Sequence, residues 1–255
     1  IYVPDKQDET YDSYVDLINL YSRNPLALKL VATTIREVFR GDMNAFLKEE
    51  KPIFGNLSVL LDEQFNRLSA LEQEILYWLA IERETVNLTD LIDDIARLIS
   101  KGALLETVES LHRRSMIDRG EGGRFGLQPV IMEYVTDRFV NHAYEELELE
   151  EFKLLESHAF IKAQAKDYVR EIQIRVILNP VTEWMLKLLR KDGSEAKLKR
   201  ILKELQKKGI RTSGYLAGNI LNLLVELKCD LRNYDFSNLR IWQAYLRDVS
   251  LPSVN

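Results

Sequence analysis

The sequence predicts a mainly α-helical chain that contains one short β-hairpin and ends in a stretch with a five-residue period. Apolar residues recur at helical spacing along most of the 255 residues, as in the run from 11 to 18. A glycine-rich turn at 120–123 separates two short segments that favour strands. From Cys229 onward, apolar residues recur at every fifth position, which matches neither a helix nor an ordinary strand.

Composition and charge exclude several classes of protein. The chain is 46% apolar and 29% charged, with a net charge of −5, as is typical of a soluble globular protein. No long apolar run and no signal-peptide pattern occurs, so we expect a cytoplasmic protein without a membrane partner. The three histidines and Cys229 share no metal-ligand spacing, and we expect no metal site. The negative net charge argues against a nucleic-acid partner.

The first predicted domain, residues 1–55, is a small helical subdomain. A first helix ends near Tyr21. Asn24 then caps a second helix, and Pro25 takes its first position, where the missing N–H costs nothing. The opening residues have neither an initiator Met nor targeting character, and we expect them to lie inside a longer polypeptide.

The second predicted domain, residues 56–141, has the element order of a winged helix. Ser69 and Glu72 predict a capping box at the start of one of its helices. Further helices follow, and a β-hairpin is expected over 117–127. Pro129 then begins another helix. Helices followed by a two-stranded wing and a helix are typical of winged-helix domains.

Two further segments complete the predicted organisation. Residues 142–226 form a helical linker domain, with helical runs over 148–178 and 181–191 that are separated from their neighbours by Pro180 and Gly193. Residues 227–255 form a pentapeptide-like repeat segment, the beginning of a β-solenoid, in which each five-residue edge sends its central residue inward. The central residues are Leu231, Phe236, Ile241, Leu246 and Leu251.

An irregular C-terminal segment with incidental apolar residues is the alternative to a solenoid. If a solenoid does begin here, its open end needs neighbouring coils or a cap to bury it. On that reading we expect the protein to continue beyond Asn255.

This order of pieces resembles the C-terminal part of an NB-ARC nucleotide switch, a STAND-class signalling NTPase, most closely the cyanobacterial multidomain type. The stretch NPLALKLVATTI, residues 24–35, is similar to the Gly-x-Pro motif of that family. The family's proline packs against the adenine ring of bound nucleotide. The resemblance therefore assigns the adenine-side contacts to Pro25 and Leu26. Arg23 stands where the family usually has glycine.

The winged-helix segment is similar to the same family. Its Met-His-Asp motif, which senses the phosphates of ADP, falls on Leu127, Gln128 and Pro129. Gln128 keeps a side-chain amide that can donate a hydrogen bond to the nucleotide. It cannot become a cation, and Pro129 removes the carboxylate. The resemblance thus makes Gln128 a candidate contact to ADP.

The resemblance implies a regulatory role, and we expect no enzyme activity from this chain. No G-x-x-x-x-G-K-[ST] loop and no strand ending in paired acidic residues occurs. The implied cofactors are ADP and ATP, bound by the full-length protein with the help of an upstream P-loop domain. A downstream repeat domain, of β-propeller or pentapeptide type, would receive the signal. Exchange of ADP for ATP would open the protein and allow it to self-associate.

Two other functions are alternatives to this one. A winged-helix DNA-binding regulator would offer His112, Arg113 and Arg114 at the end of its recognition helix. Glu106 and Glu109 lie on the same helix and would oppose contacts to phosphates. A stand-alone hydrolase would need a nucleophile beside its base, and the sequence offers no such motif.

Overall fold

The computed structural model describes residues 11–21, 23–48, 57–208, 214–232 and 234–246. These residues are mainly helical, which confirms the predicted fold class at that level. Residues 1–10, the predicted loop around Pro52 and Gly55, and the last repeat of the five-residue pattern lie outside the described residues. Within the described ranges, the sheet consists of two short strands.

The helices and strands follow in chain order. The helices are α1 (Tyr11–Leu20), α2 (Pro25–Val38), α3 (Met43–Lys48), α4 (Leu57–Asn66), α5 (Ala70–Glu82), α6 (Leu88–Asp94), α7 (Lys101–Arg113), α8 (Pro129–Leu149), α9 (Leu154–Ser157), α10 (Asp167–Gln173), α11 (Asn179–Lys208) and α12 (Leu216–Glu226). The strands are β1 (Asp118–Arg119) and β2 (Phe125–Gly126), a 3₁₀ turn covers Glu121–Gly123, and a π-helical turn covers Ile174–Leu178.

The chain divides into two compact units. Unit 1 comprises residues 1–73 and 106–118, and unit 2 comprises residues 74–105 and 119–255. The four predicted domains, 1–55, 56–141, 142–226 and 227–255, remain a prediction.

The core of unit 1 lies between α2 and α4, which pack against each other. Leu30 and Val31 of α2 and Leu60 of α4 are fully buried. Each such side chain stabilises the fold by about 1.5–3 kcal/mol through removal of its apolar surface from water. Gln64 Nε2 also donates to Thr34 Oγ1 over 2.6 Å, so a hydrogen bond between buried side chains joins the same two helices.

The core of unit 2 is rich in aromatic rings. Trp78, Phe139 and Phe160 are all fully buried. The imidazole of His158 lies among these rings, with its centroid 5.2 Å from that of Trp78 and 5.9 Å from that of Phe139. Its Nε2 is 3.1 Å from the carbonyl oxygen of Glu74, and burial of the ring lowers the pKa of His158. His158 is therefore a hydrogen-bonded core residue.

The predicted β-hairpin is present. β1 and β2 form a two-stranded sheet, and the amide of Gly120 donates to the carbonyl of Arg124 over 2.9 Å at its end. Gly122 and Gly123 turn the chain with φ of +69° and +75°, a backbone that side chains rarely adopt. Val86 also pairs with Phe125 in an antiparallel bridge. The assignment of a complete winged helix stays a prediction.

The helical run predicted over 148–178 is interrupted between α8 and α10. The backbone of Glu150 is left-handed, with φ of 59°, and α10 begins only at Asp167. The reason is the buried carboxylate of Glu146, which accepts hydrogen bonds from the amides of residues 153–155 over 2.8, 2.7 and 2.9 Å. Those amides thus have a side-chain partner in place of the carbonyls that a continuing helix would supply.

The predicted breaks at Pro180 and Gly193 are wrong. Helix α10 passes through the π-helical turn 174–178 directly into α11, which includes Pro180. A π turn changes the hydrogen-bond register, which helps a helix accommodate a residue that has no N–H. The break in α11 falls at Arg190, where φ is 58° and ψ is −179°, and not at Gly193.

The segment after α12 makes a turn at intervals of five residues. The carbonyls of Leu231 and Phe236 accept hydrogen bonds from the amides of Tyr234 and Leu239, over 3.2 and 3.4 Å. Leu231 and Phe236, the first two predicted central residues, are buried. The two turns are thus equivalent positions of one repeating pattern.

Backbone conformation follows the same period. Lys228, Asn238 and Gln243 have left-handed φ values of 53°, 60° and 58°, and their numbers differ by multiples of five. The next two central residues, Ile241 and Leu246, are half-buried. The period of five is therefore a feature of the folded chain, and its continuation as a solenoid stays a prediction.

Candidate functional site

The predicted adenine contact lies at the start of α2, in unit 1. Asn24 Oδ1 accepts hydrogen bonds from the amides of Leu26 and Ala27 over 3.0 and 3.2 Å, which confirms the predicted cap. Pro25 takes the first helical position and is exposed, while Leu26 is half-buried. The cap holds the backbone, so the ring of Pro25 stands on the surface at a fixed place.

The residue before this cap, Arg23, adopts a left-handed turn that usually favours glycine. Arg23 has φ of 59°, a left-handed backbone that costs most residues about 1–2 kcal/mol. Its amide donates to the carbonyl of Ile18, and the amide of Asn24 donates to the carbonyl of Tyr21, both over 2.9 Å. The left-handed turn that glycine would favour is therefore formed here by an arginine.

Gln128, the third predicted site residue, belongs to unit 2. Its backbone is extended directly before α8, and its carbonyl accepts the amide of Met132 over 2.8 Å. Its half-buried side-chain amide makes no hydrogen bond within the described part of the chain. Gln128 thus has a spare donor. Pro25 and Leu26, by contrast, are neighbours in unit 1.

Unit 1 also contains a cavity that the sequence analysis missed. It has a volume of about 590 Å³ and lies between α2 and the end of α7. Its charged lining residues are Lys29, Arg36, Glu37 and Arg113, and His112 also lines it. The signal in the sequence was the spacing of Pro25, Lys29 and Arg36, which places all three on one face of α2.

The end of α7 is closed by a Schellman motif. The amide of Ser115 donates to the carbonyl of His112, and the amide of Met116 donates to the carbonyl of Leu111, each over 3.0 Å. Ser115 has φ of 59° at the position where glycine is usual. The carbonyls at this helix end are consequently bonded within the chain.

Beside this helix end, a buried carboxylate organises unit 1. Glu72 forms the predicted capping box with Ser69, over 2.7 and 3.3 Å, and accepts the hydroxyl of Ser110 over 2.7 Å. Arg114 lies 3.8 Å from Glu72 and 3.5 Å from Glu37. Burial alone would raise the pKa of Glu72, but the hydrogen bonds from Ser110 and Ser69 and the charge of Arg114 together lower it.

Unit 2 contains a second polar cavity, of about 250 Å³, around one lysine. Lys162 Nζ bonds Glu82 and lies 2.8 Å from a carboxylate oxygen of Asp94. Burial, and then the hydrogen bond with Glu82, raises the pKa of Asp94 to about 8 against the opposing effect of Lys162. Tyr215 donates to the carbonyl of Asp94 over 2.6 Å. The cluster ties the ends of α5 and α6 to the segment before α10.

The chain is similar to an uncharacterized WD repeat-containing protein from Nostoc sp. strain PCC 7120. The two are 41% identical over an alignment 284 positions long, which covers 96% of this chain and 22% of the relative. The chain therefore spans about a fifth of the length of the protein it matches. No protein-family profile and no solved structure matches the chain.

The geometry also bears on the DNA-binding alternative. Of the three basic residues named for DNA contact, Arg114 is half-buried and paired with Glu37 and Glu72. His112 and Arg113 are exposed, and both line the cavity of unit 1. The basic end of α7 thus faces a concave pocket.

In the described part of the chain, no helix is both long and apolar enough to cross a membrane.

Proposed function

We propose that the chain is a regulatory region of a nucleotide-dependent signalling switch of the NB-ARC type. Pro25 and Leu26 would contact the adenine of ADP or ATP, and the amide of Gln128 would donate to the phosphates in the ADP state. The observation that carries the proposal is the turn at 23–27, where a left-handed residue leads to a capping asparagine and an exposed proline. A P-loop domain outside this chain would hold the triphosphate and the magnesium ion.

The order of the elements supports a winged helix as the moving part of the switch. The elements follow in the order that such domains use: α5, the bridge at Val86, α6, α7, the hairpin and α8. In the closed state, ADP would connect the P-loop domain to this region. Exchange for ATP would favour an open state, because the two nucleotides would differ in their affinity for the two states.

The similarity to a WD repeat-containing protein supports a repeat domain as the partner that follows this region. The five-residue turns over 229–246 support a short pentapeptide-like solenoid as the link. When the repeats bind their signal, they would shift the equilibrium between the closed and open states, because they would make contacts in only one of the two states.

Calorimetry with ADP and ATP tests the proposal. We expect no measurable binding to the chain alone and binding once the proposed P-loop domain is added. Pro25→Ala should weaken ADP binding about tenfold, equivalent to about 1.4 kcal/mol, because the contact of the pyrrolidine ring with adenine is lost. The control is Pro180→Ala, which removes a proline from the continuous helical run of unit 2 and should leave ADP affinity unchanged.

The other outcomes count against the proposal. Equal affinities for Pro25→Ala and the unsubstituted chain would remove Pro25 from the site. Binding of ADP to the chain alone would mean that the phosphates are held within these residues. If neither the chain alone nor the chain with the P-loop domain binds ADP or ATP, and the chain does bind duplex DNA, a winged-helix DNA-binding regulator becomes the better proposal.

A further inference from the structure

The cavity between α2 and the end of α7 concentrates positive charge. Lys29 and Arg36 lie on one face of α2, seven residues apart, and His112 and Arg113 reach the cavity from α7. All four side chains are exposed. Lys29, Arg36 and Arg113 are cations at neutral pH, in a chain whose net charge is −5.

Counter-charge inside the cavity is scarce. Among the described lining residues, Glu37 supplies the carboxylate, and it lies 3.7 Å from Arg36 and 3.5 Å from Arg114, a cation outside the cavity. The side chains of Lys29 and Arg113 make no hydrogen bond or ion pair within the described ranges. Lys29 and Arg113 thus lack a counter-ion among the described residues, and a bound anion would supply one.

The end of α7 does not oppose an anion as a bare helix C-terminus would. Free carbonyls at a helix C-terminus carry partial negative charge and repel anions. Here the Schellman bonds occupy two of them, and the carbonyl of Arg113 lies 3.5 Å from Arg36 Nη2, which donates to it. The side chains of the cavity therefore dominate its electrostatic potential.

We propose that this cavity binds a small phosphate-class polyanion, held by Lys29, Arg36 and Arg113. A concave volume of about 590 Å³ suits a small molecule. Three of its lining residues, Lys29, Arg36 and Arg113, are cations, so charge is a property that the site can recognise. Arginine binds phosphate oxygens through two parallel N–H donors. Pro25 does not line the cavity, and this site is independent of the proposed adenine contact.

Pyrophosphate is the probe for a test on the whole chain, by calorimetry at low salt and by thermal melting. We expect saturable binding and a rise in melting temperature, because a ligand that binds only the folded state stabilises it. Lys29→Gln with Arg113→Gln should lower the affinity at least about tenfold, through loss of charged contacts. The control is Lys187→Gln with Lys203→Gln, two exposed lysines of α11, which changes the net charge equally.

The remaining measurements test which class of ligand binds and whether it binds in this cavity. Adenosine should not bind, and citrate and a hexaglutamate peptide should bind at least about tenfold more weakly than pyrophosphate, since they lack phosphate geometry. Pro25→Ala should leave pyrophosphate affinity unchanged whether or not Pro25 contacts adenine. The proposal is overturned if pyrophosphate does not bind, if the control pair weakens binding equally, if citrate or the peptide matches pyrophosphate, or if Pro25→Ala abolishes binding.

Discussion

The contact between α12 and the C-terminal segment can be tested by Gly218→Ala, a substitution that adds one methyl group. Gly218 lies in α12, in unit 2. The Cβ that alanine would add lies 1.8 Å from the carbonyl oxygen of Trp242, whereas ordinary contacts begin at 3.4 Å. The clash is with backbone, which cannot swing aside as a side chain would. Gly218→Ala should therefore displace the segment around Trp242 from the helix.

The cost follows from the bonds that this displacement breaks. Asn222 is 2% exposed, and it donates to the carbonyl of Gln243 and accepts from the amide of Tyr245, each over 2.9 Å. Leaving each buried group unsatisfied costs about 1–3 kcal/mol. Replacing glycine by alanine within a helix returns about 1 kcal/mol. We expect a net loss of about 1–5 kcal/mol in the free energy of unfolding.

The assay is chemical denaturation, with amide hydrogen exchange to locate the change. Gly102→Ala in α7 is the control, because a Cβ there has nothing within 4 Å. It should stabilise the chain by up to about 1 kcal/mol. Exchange should accelerate over 242–246 in Gly218→Ala only. If Gly218→Ala stabilised the chain as Gly102→Ala does, the packing of the segment on α12 would be refuted.

Two carboxyl groups should give opposite dependences of stability on pH. Because the pKa of Glu72 is lowered, its contribution is complete above its ordinary value of 4.5 and is lost as the pH falls through the value in the folded chain. Glu72→Gln should cost about 1–3 kcal/mol at pH 7, with a smaller difference at pH 3, in urea denaturation. The control is Glu63→Gln, which removes a half-buried carboxylate paired with Arg67 and should change little. A pH-independent difference for Glu72→Gln would contradict the assignment. Because the pKa of Asp94 is raised from 3.8 to about 8, the folded chain binds its proton more tightly, so stability should fall as the pH rises between those values. Asp94→Asn should flatten this slope between pH 5 and 8 while Asp93→Asn does not, and an unchanged slope in Asp94→Asn would exclude Asp94 as its source.

Local signals in the sequence were sufficient wherever the partners lie within a few residues. Asn24 and Pro25 mark the start of α2, and Ser69 with Glu72 marks the start of α5, because each cap bonds amides two or three residues away. The glycine-rich hairpin was equally readable, since only a few residues favour the backbone of such a turn.

The features that the sequence did not reveal depend on distant partners. The helical pattern of 148–178 is broken by hydrogen bonds to the carboxylate of Glu146, and nothing in the local spacing of apolar residues signals that contact. The cavity of unit 1 could not be predicted from the sequence for the same reason. Lys29 and Arg113 are 84 positions apart in the numbering, and each alone looks like an exposed charge on an amphipathic helix.

Helix α12 connects the C-terminal segment to the core of unit 2 through the hydrogen bonds of two asparagines. Asn219 accepts from the amide of Phe160 over 2.7 Å and donates to the carbonyls of Leu155 and His158 over 3.1 and 2.8 Å. Asn222, one turn further along the helix, holds the backbone of residues 243–245.

Both asparagines are buried, so neither set of bonds can be exchanged for water without a cost of about 1–3 kcal/mol per group. A displacement of the five-residue repeats thus either breaks the bonds of Asn222 or moves α12, and movement of α12 strains the bonds of Asn219. If the repeats do receive a signal, α12 is one element of unit 2 through which a shift of the segment would reach the chain around His158, beside the hydrogen bond from the amide of Ala163 to the side chain of Gln243.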